Sequence, residues 1–503
     1  MTRYAGHLFV VHGTIETLVH DAAVVPVGAE YRFKEHWRTL VGDHPVLPDD
    51  WSRRQWGRIH SAPDRVWAVS VGGSRADPYD VVVERIVNVL RRVDERRHLH
   101  EPQRGKSTIP LVAVPVVGIG RGGHDHNRGE VLRALVERLG TEARELCVDV
   151  ALVTPEPAVY AAAQYARRKL VPRLPDALEV SAEELGAAAR AGSLALVLGA
   201  GVSAAAGLPS WTQLIETLAR DLRVTEVDFN DKNFTPTDQA ELIEQYAKED
   251  FPERVAKVVS ARSRSSLLHG LLAGLDCGEV ITTNYDLLYE QAVRASGRTV
   301  DSILPWASGR DADRWILKLH GDVAHPKTIV LTRRHMVRYD AAFRPSGALL
   351  QSLLLTRKVL VVGTSMTDDN VIRLLHEVEA YRQEHHEQRS GTFGTVLDTD
   401  GDKVRAQLWK GQLEWLFMGD AAPEVSGYRG VELFLDRVAL HASRDSSWVL
   451  DERFAGLLTP HEQLFAQQLR DVTSGITSRL GTKWDPLVER LIEMGVRPPD
   501  GRP

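Results

Sequence analysis

Four short segments of the chain place glycine or polar residues directly after apolar runs, which is where ligand-contacting groups lie in α/β proteins. The first segment reads LVLGAGVSAAAG and contains Gly199, Gly201 and Ser203. The two glycines permit a tight turn in which the backbone approaches a phosphate, and the free N–H groups of a following helix attract anions. Ser203 can cap that helix or bind a phosphate. A strand-to-helix turn without a ligand has the same sequence, so this segment alone does not establish nucleotide binding.

The second and third segments offer side chains for hydrogen bonding and proton transfer. ITTNYDLLYEQA ends a β-rich run with Asn284 and Asp286, and each residue taken alone is more typical of a helix N-cap than of a catalytic group. RWILKLHGDV contains His320, and imidazole is the side chain best suited to proton transfer near neutral pH. A single histidine at a strand end is more often structural, so its assignment depends on the other segments.

The fourth segment, KVLVVGTSMTDDNVIRLL, repeats the pattern of strand, turn and helix. Gly363, Thr364 and Ser365 fall in the turn, and Asp368 and Asp369 fall in the first turn of the helix. Carboxylates at that position also stabilise the positive end of the helix dipole, so this pair needs no catalytic role.

These residues require an α/β scaffold, and the apolar patterns predict one. The 503 residues are enough for two to four domains. Val-rich runs alternate with amphipathic helices from residue 8 to about 165, and a second α/β series, which includes KTIVLT as a strand, begins at residue 194. We expect the second series to form a doubly wound, Rossmann-like parallel sheet. The predicted divisions are an α/β unit at 1–170, a linker helix at 171–190, the doubly wound unit at 191–445 and a short helical tail at 446–503.

Composition and charge argue against several classes of function. Hydrophobic residues make up 43% and charged residues 26% of the chain, as in ordinary folded proteins. The net charge of −6 arises from 62 basic and 68 acidic residues, which gives no support for nucleic-acid binding. No apolar run approaches the roughly 20 residues of a membrane-spanning helix, and no signal-peptide layout is present, so we expect a cytoplasmic protein. Cys147 and Cys277 cannot build a disulfide framework or a paired CxxC zinc site. His124 and His126 lie in a glycine-rich loop without further ligands, so we expect no metal.

Together the four segments resemble the sirtuin family, specifically its bacterial branch found in antiphage defence proteins. GAGVSAAAGLPSW, TTNYDLLYE, LKLHGD and VVGTSMTDDN occur in the family's order within about residues 188–445. The resemblance implies a Rossmann-like domain that binds NAD. It also implies that the catalytic residues are Asn284 and Asp286, which lie beside the nicotinamide ribose, and His320, which is the base on that ribose. The other residues that it assigns to NAD are Gly199, Ala200, Gly201 and Ser203 at the diphosphate, Gly363 and Ser365 on the adenosine side, and Gly207, Pro209, Trp211, Thr283, Thr364 and Asp369.

Two departures from protein-deacetylating sirtuins bear on the reaction. The chain has too few cysteines for their four-cysteine zinc module, and Trp211 in GLPSW is familiar from the defence branch. Both features favour water over an acetylated lysine as the nucleophile. We therefore expect an NAD glycohydrolase that yields nicotinamide and ADP-ribose and acts as the effector of an antiphage, abortive-infection system. The alternatives are a module that binds NAD or ADP-ribose without turnover, and an NAD-dependent deacylase or ADP-ribosyltransferase.

Residues 5–168 resemble a macro domain. The resemblance is carried by VHGTIETLVHDAAVVPVGAEY, VPVVGIGRGGHDHNRGEVLRALVERL and VDVALVTPEPAVYAAAQYARR. Thr14 stands where ADP-ribose-binding macro domains have an acidic residue, and the glycine-rich loop 118–123 could form either an anion-binding nest or a surface loop. The resemblance implies a unit that senses a nucleotide-like signal or a protein partner. We also expect a homo-oligomer, because assembly can complete and so regulate a site.

Overall fold

The computed structural model contains two α/β units and a helical C-terminal segment. No helix in the described part of the chain is both long and apolar enough to cross a membrane. Only the backbone is described for residues 99, 339–343, 472–476 and 485. The described residues are 5–28, 31–46, 48–62, 65–72, 77–99, 109–119, 123–225, 227, 229, 234–385, 391–421, 427–476 and 484–496.

The first unit is built on a six-stranded sheet. Its strands are β1 Leu8–His12, β2 Ala22–Val27, β3 Trp56–Arg58, β4 Val66–Ser70, β5 Leu111–Pro115 and β6 Asp149–Thr154. They lie in the order β1-β6-β5-β2-β4-β3, and all pairs are parallel except β3 with β4. The Val-rich runs predicted as strands are therefore present, as β1, β2, β4, β5 and β6, and their burial on both faces explains their continuous apolar character. The helices of this unit are α1 Arg38–Val41, α2 Trp51–Arg54, α3 Tyr79–Arg96, α4 Arg128–Glu145 and α5 Pro157–Arg167.

The second unit is built on a seven-stranded sheet in which every pair is parallel. Its strands are β7 Leu194–Leu198, β8 Glu279–Thr282, β9 Ser302–Leu304, β10 Trp315–Lys318, β11 Lys358–Val362, β12 Gly394–Asp398 and β13 Leu413–Phe417. The order β13-β12-β11-β7-β8-β10-β9 confirms the predicted doubly wound, Rossmann-like arrangement. The chain proceeds from β7 to β8 on one side and later returns to β11 on the other. The carboxyl ends of β7 and β11 thus lie at a topological switch point, where such sheets bind ligands.

Helices cover both faces of this sheet. Helices α8 to α10 share an apolar cluster of their own, which extends over Tyr285 and Leu331 near the carboxyl edge of the sheet. The helices are α6 Asp176–Arg190, α7 Ala200–Ala204, α8 Trp211–Leu222, α9 Pro236–Ala247, α10 Phe251–Val259, α11 Leu267–Gly274, α12 Leu288–Ala295, α13 Arg333–Thr356, α14 Asp369–His385, α15 Lys403–Leu408 and α16 Gly427–Ala442.

The run KTIVLT, predicted as a strand, is not part of the sheet, so that prediction is wrong. Pro326–Thr328 form a 3-10 helix, and residues 329–331 continue as a buried loop. The Val330 amide donates a hydrogen bond of 2.9 Å to the carbonyl oxygen of His320. The run is apolar because it lies beneath the cluster of α8 to α10.

The C-terminal segment packs against the first unit. It contains a 3-10 helix, Glu452–Leu457, followed by α17 Pro460–Ile476 and α18 Asp485–Glu493. Trp448 and Phe454 are buried in the same apolar cluster as the residues of α3, α4 and α5. The chain therefore returns to its first unit after the second sheet is complete.

Two buried ion pairs join the units. Arg167 on α5 donates two hydrogen bonds of 2.7 Å to Asp436 on α16, and Nε2 of His7 lies 2.8 Å from the same carboxylate. Arg429 on α16 makes a second two-pronged pair with Asp149 of β6, at 2.7 and 2.6 Å. Apolar residues of both units form one continuous cluster, which also includes one face of α6. These contacts fix the position of one unit relative to the other.

Candidate active site

The turns after β7 and β11 lock together through their glycines. Gly199 and Gly201 donate amide hydrogen bonds of 2.9 and 2.8 Å to the carbonyl oxygens of Val362 and Gly363. A Cβ at Gly199 or Gly201 would lie 2.5 or 2.7 Å from backbone atoms of Gly363, and Gly363 itself has a φ of +72°. Glycine is required at all three positions by this backbone-to-backbone contact. Binding of a diphosphate by the same turn stays a prediction.

Asn284 and Ser203 join this turn to the end of β8. Nδ2 of Asn284 donates to the carbonyl oxygen of Gly199 and to Oγ of Ser203, both at 3.0 Å. Oδ1 of Asn284 is buried and accepts no hydrogen bond from any residue that the structure describes. A buried acceptor without a partner is rare in folded proteins. The side chain is therefore fixed at one end and able to accept a hydrogen bond from a ligand at the other.

Asp286 and His269 form the buried side of this network. Oγ of Ser203 donates to Oδ2 of Asp286 at 2.8 Å and lies 3.4 Å from Nε2 of His269. The second Asp286 oxygen accepts the Leu288 amide at the start of α12. Burial lowers the pKa of His269 to about 4, so its imidazole is neutral at pH 7. In the structure Asp286 thus orients Ser203, and through it Asn284.

His320 follows β10 and pairs with a carboxylate at the start of α14. Nε2 of His320 lies 3.0 Å from Oδ2 of Asp368, and His320 is 2% exposed. Oδ1 of Asp368 accepts the amides of Asn370 and Val371 at 3.0 and 3.2 Å. Burial alone would raise the pKa of Asp368, but the His320 contact and the two amides outweigh it and hold the pKa below its usual value. The carboxylate is thus ionised at neutral pH and can stabilise a protonated imidazole.

A buried ammonium group links the segments that carry these residues. Nζ of Lys318 lies 2.7 Å from Oε1 of Glu290 and 3.2 Å from Oδ2 of Asp322, and all three side chains are almost completely buried. The ammonium also donates to the carbonyl oxygen of Asp286. Burial alone would lower the pKa of Lys318, but the neighbouring carboxylates raise it. Lys318, two residues before His320, therefore ties β10 to the turn that contains Asn284 and Asp286.

The GLPSW segment leads from α7 into the helical cover. Gly207 has a φ of +83°, which favours glycine, and Pro209 is half-buried. Trp211 is the first residue of α8 and packs against the cluster that contains Tyr285. Ala200, at the start of α7, is exposed. Their contacts with NAD stay predictions.

The remaining predicted residues lie on the turns after β8 and β11. The Thr283 amide donates to the carbonyl oxygen of Leu198 at 3.1 Å, which extends the pairing of β7 with β8. Oγ1 of Thr364 accepts the Met366 amide at 3.0 Å, and Ser365 is exposed. Asp369 is also exposed, and the residue that faces His320 is its neighbour Asp368.

Three residues that contact the site, His269, Tyr428 and Asp368, are not predicted to belong to it from the sequence. His269 lies within an apolar run, although its spacing from Ser266 is that of the capping box that the two form at the start of α11. Tyr428 on α16 donates to the carbonyl oxygen of Gly201 from far along the chain. Asp368 is explained in the sequence by the helix dipole alone, because the sequence does not show which of two adjacent carboxylates faces the sheet.

A group of side chains suited to hold a metal ion lies elsewhere. Glu179, Glu183 and His441 bring their ligand atoms within 4.8 Å of one another on α6 and α16. Glu179 already accepts a hydrogen bond of 2.6 Å from Arg437. This group does not include any residue of the candidate active site.

Comparisons with known proteins point to the same part of the chain. A family model described as a SIR2-like domain matches residues 278–413. NAD(+) hydrolase ThsA of Acinetobacter baumannii (strain 532279) is 27% identical over 41% of this chain and 44% of its own length. NAD(+) hydrolase ThsA of Bacillus cereus (strain MSX-D12) is 30% identical over 37% of this chain and 40% of its own length. Defense-associated sirtuin 2 of Bacillus subtilis is 22% identical over 40% of this chain and 21% of its own length.

The similarity covers only part of each protein. The chain spans less than half the length of these curated relatives. The match to the SIR2-like model lies in the second unit and covers three of the four segments, those that contain Asn284, His320 and Gly363.

Proposed function

We propose that this protein is an NAD glycohydrolase. The observation that carries the proposal is the state of Asn284, whose amide is fixed through Nδ2 and whose buried Oδ1 has no partner among the described residues. It follows β8 at the carboxyl edge of the sheet, and His320 with its ionised partner Asp368 follows β10 at the same edge. Two relatives that are named NAD(+) hydrolases support this assignment.

The reaction breaks the bond between C1′ of the nicotinamide ribose and the ring nitrogen. Nicotinamide leaves as a neutral molecule with the bonding electron pair, water adds to C1′, and one proton is released. Oδ1 of Asn284 would accept a hydrogen bond from a ribose hydroxyl or from the attacking water, and so position it. His320 would accept the proton, and Asp368 would stabilise the imidazolium that forms. The other residues that the resemblance assigns to NAD, including Asp286, Ser203 and the turn at Gly199–Gly201, would hold the nucleotide.

The test is release of nicotinamide from NAD by the purified protein and by the variants Asn284→Ala and His320→Ala. We expect each variant to lose about 100-fold or more of the turnover, as is typical when a proton-transfer or positioning group is removed. His320 is buried and paired with Asp368, so His320→Ala is expected to lower the melting temperature, and turnover is compared at a temperature at which circular dichroism shows each variant to be folded. Turnover at the wild-type rate in both would contradict the proposal.

The main alternatives differ in the fate of NAD and of its ADP-ribosyl group. A binding module would hold NAD or ADP-ribose without releasing nicotinamide. A deacylase or ADP-ribosyltransferase would release nicotinamide only when a peptide or other acceptor is added. If water is the acceptor, nicotinamide and free ADP-ribose should form in equal amounts when no other acceptor is added. Chromatography of the products measures both.

We also propose that the protein acts in the cytoplasm as the effector of an antiphage, abortive-infection system. This rests on the names of the NAD(+) hydrolase and defence-associated relatives. Cells that carry the wild-type gene should lose NAD after phage infection, whereas cells that carry His320→Ala should keep it. Equal NAD levels in both infected cultures would argue against the defence role.

We further propose that the macro-like first unit regulates the second, in response to a nucleotide-like signal, a protein partner or homo-oligomerisation. The two units contact each other near the buried network, because residue Leu18 forms a β-bridge with Ser265, next to the cap that holds His269. Residues 120–122 of the glycine-rich loop lie outside the described residues. Comparison of NAD consumption with and without ADP-ribose and its cyclic derivatives, together with the molecular mass of the active form, tests this proposal.

A further inference from the structure

A cavity of about 720 Å³ lies where the two units and the C-terminal segment meet. Its walls come from α5 of the first unit, the end of α16 in the second unit, and α17. Pockets for small molecules have volumes of roughly 300–1,000 Å³ and occur preferentially at domain junctions. The described residues that line it include none of the candidate active-site residues.

Part of the lining is aromatic and apolar. The indole of Trp448, which is 4% exposed, lies with its ring centroid 4.8 Å from that of Tyr165. Phe465 on α17 also lines the cavity and is 59% exposed. The exposed ring of Phe465 offers a flat apolar surface against which a planar ring can lie.

The same cavity is rich in basic side chains. The described residues of its lining include five arginine and lysine residues and two carboxylates, and two of the arginines, Arg437 and Arg444, pair with Glu179 and Asp276 outside the lining. The Arg168 guanidinium lies 3.3 Å from the centroid of the Tyr165 ring, and its neighbour Lys169 is exposed. Arg437 donates through Nε to Glu179, yet its Nη1 is buried and has no hydrogen-bond partner in the described part of the chain. An excess of cationic donors favours an anionic ligand.

We propose that this junction cavity binds a small anionic molecule that carries a planar ring, namely an aryl phosphate or a nucleotide. The ring lies against Phe465, at the wall that Trp448 also lines, and the anionic group lies against Arg168 and Lys169. A ligand in this position contacts the segment that follows α5, the segment that follows α16, and α17. Binding therefore stabilises the contact between the two units and the C-terminal segment.

The test is calorimetric titration of the full chain with 1-naphthyl phosphate. Inorganic phosphate, which lacks the ring, and 1-naphthol, which lacks the charge, should each bind at least about tenfold more weakly. The variants Phe465→Ser and Lys169→Ala should each bind 1-naphthyl phosphate about tenfold more weakly than the wild type. Both side chains are exposed, so the melting temperature without ligand should not change.

Matched variants serve as controls. Leu464 is also 59% exposed on α17 but does not line the cavity, and Lys257 is an exposed lysine on α10. Leu464→Ser and Lys257→Ala should keep the wild-type affinity. The proposal would be overturned if Phe465→Ser and Lys169→Ala bound 1-naphthyl phosphate as tightly as the wild type. It would also be overturned if the wild type did not bind millimolar 1-naphthyl phosphate.

Two further arms separate the source of the ligand and the site. Displacement of 1-naphthyl phosphate by AMP supports a nucleotide, and displacement by phenyl phosphate alone supports another aryl phosphate. Asn284→Ala alters the candidate NAD site and not the cavity, so it should bind 1-naphthyl phosphate as the wild type does. Loss of binding in that variant would place the ligand in the NAD site and overturn the proposal, whatever the outcome of the turnover assay.

Discussion

His320 and Asp368 show how a single contact changes the expectation for a residue. At the start of α14, Asp368 accepts two backbone amides and also lies 3.0 Å from Nε2 of His320. A carboxylate held in this way keeps its charge next to the imidazole. The adjacent Asp369 is exposed and has no such contact with His320. Only Asp368 is therefore placed to act through His320.

Asp368→Asn should lower turnover, whereas Asp176→Asn, at an exposed carboxylate in the first turn of α6, should leave it nearly unchanged. Asparagine can still accept the amides of Asn370 and Val371 as a helix cap, so the loss of stability should stay below about 1 kcal/mol. Without the negative charge, an imidazolium at His320 loses its stabilisation, and kcat should fall by about tenfold or more while KM changes little. Steady-state kinetics of the two variants measure this difference, and equal kcat values in the two would refute the role of Asp368.

The same pair predicts a pH dependence of stability. The pKa of Asp368 is lower in the folded protein than in the unfolded chain, where it is about 3.9. Its contribution to the free energy of unfolding is therefore complete above about pH 5 and is lost as the pH falls through the folded value. The free energies of unfolding of wild type and Asp368→Asn, measured by denaturation, should differ at pH 6 and converge towards pH 3. A difference that grows on acidification would contradict the sign of this shift.

Lys318 is expected to matter for stability as well as for activity. Its removal leaves Glu290 and Asp322 as buried carboxylates without their cation, which typically costs about 3–5 kcal/mol. Lys318→Met should therefore be strongly destabilising. Lys358→Met removes a lysine whose pair with Glu184 is largely solvent-accessible and should cost less than about 1 kcal/mol. Urea denaturation measures the free energy of unfolding of the two variants. A loss of similar size in both would contradict the stabilising role of the buried cluster around Lys318.

At the scale of elements, the interlocked turns after β7 and β11 hold the candidate site together. Gly363 contacts the backbone of α7, while Asn284 holds the same turn from the side of β8. Tyr428 on α16 adds a further contact at the carbonyl oxygen of Gly201. Strands β11, β7 and β8 are thus connected at their carboxyl ends by contacts outside the sheet hydrogen bonds.

Gly363→Ala should disrupt this arrangement, and Gly401→Ala provides the control. Both glycines have a φ of +72°, so alanine meets the same backbone strain at either position. A Cβ at Gly363 would lie 2.5 Å from the Val202 amide nitrogen, whereas nothing lies within 4 Å of one at Gly401. We expect Gly401→Ala to cost about 1 kcal/mol and Gly363→Ala to cost clearly more and to abolish NAD turnover. Equal melting temperatures for the two variants would show that the contact between the turns is not needed.

At the scale of the whole molecule, the two units share one apolar cluster and two buried ion pairs. Burial alone would raise the pKa of Asp436, but Arg167 and His7 lower it, so the carboxylate keeps its charge in the interface. An interface of this kind predicts that the units unfold together.

Arg429→Met should weaken this coupling. It leaves Asp149, which is completely buried, without its guanidinium partner, and the expected cost is about 3–5 kcal/mol. Calorimetry should show one unfolding transition for the wild type and a lower or divided transition for the variant. Arg373→Met, which removes a half-exposed pair with Glu377 on α14, should keep the wild-type profile. An unchanged midpoint in Arg429→Met would contradict a structural role of the interface.

The sequence by itself determined the class of fold and the segments that form the candidate site. Strand ends are visible in the sequence because buried parallel strands require continuous apolar runs, and Gly199, Asn284, His320 and Gly363 come after such runs. Since carboxyl ends of parallel strands share one edge of the sheet, these segments were expected to converge. The family resemblance added the ligand and the reaction.

Only the tertiary structure decided which side chains face one another. Helix rotation selects Asp368 over Asp369, and long-range packing brings Tyr428 to Gly201. The run KTIVLT is apolar because helices cover it, and burial under a helix and burial in a sheet select the same residues. The return of the C-terminal segment to the first unit likewise depends on contacts between residues far apart in the chain, which local patterns do not encode.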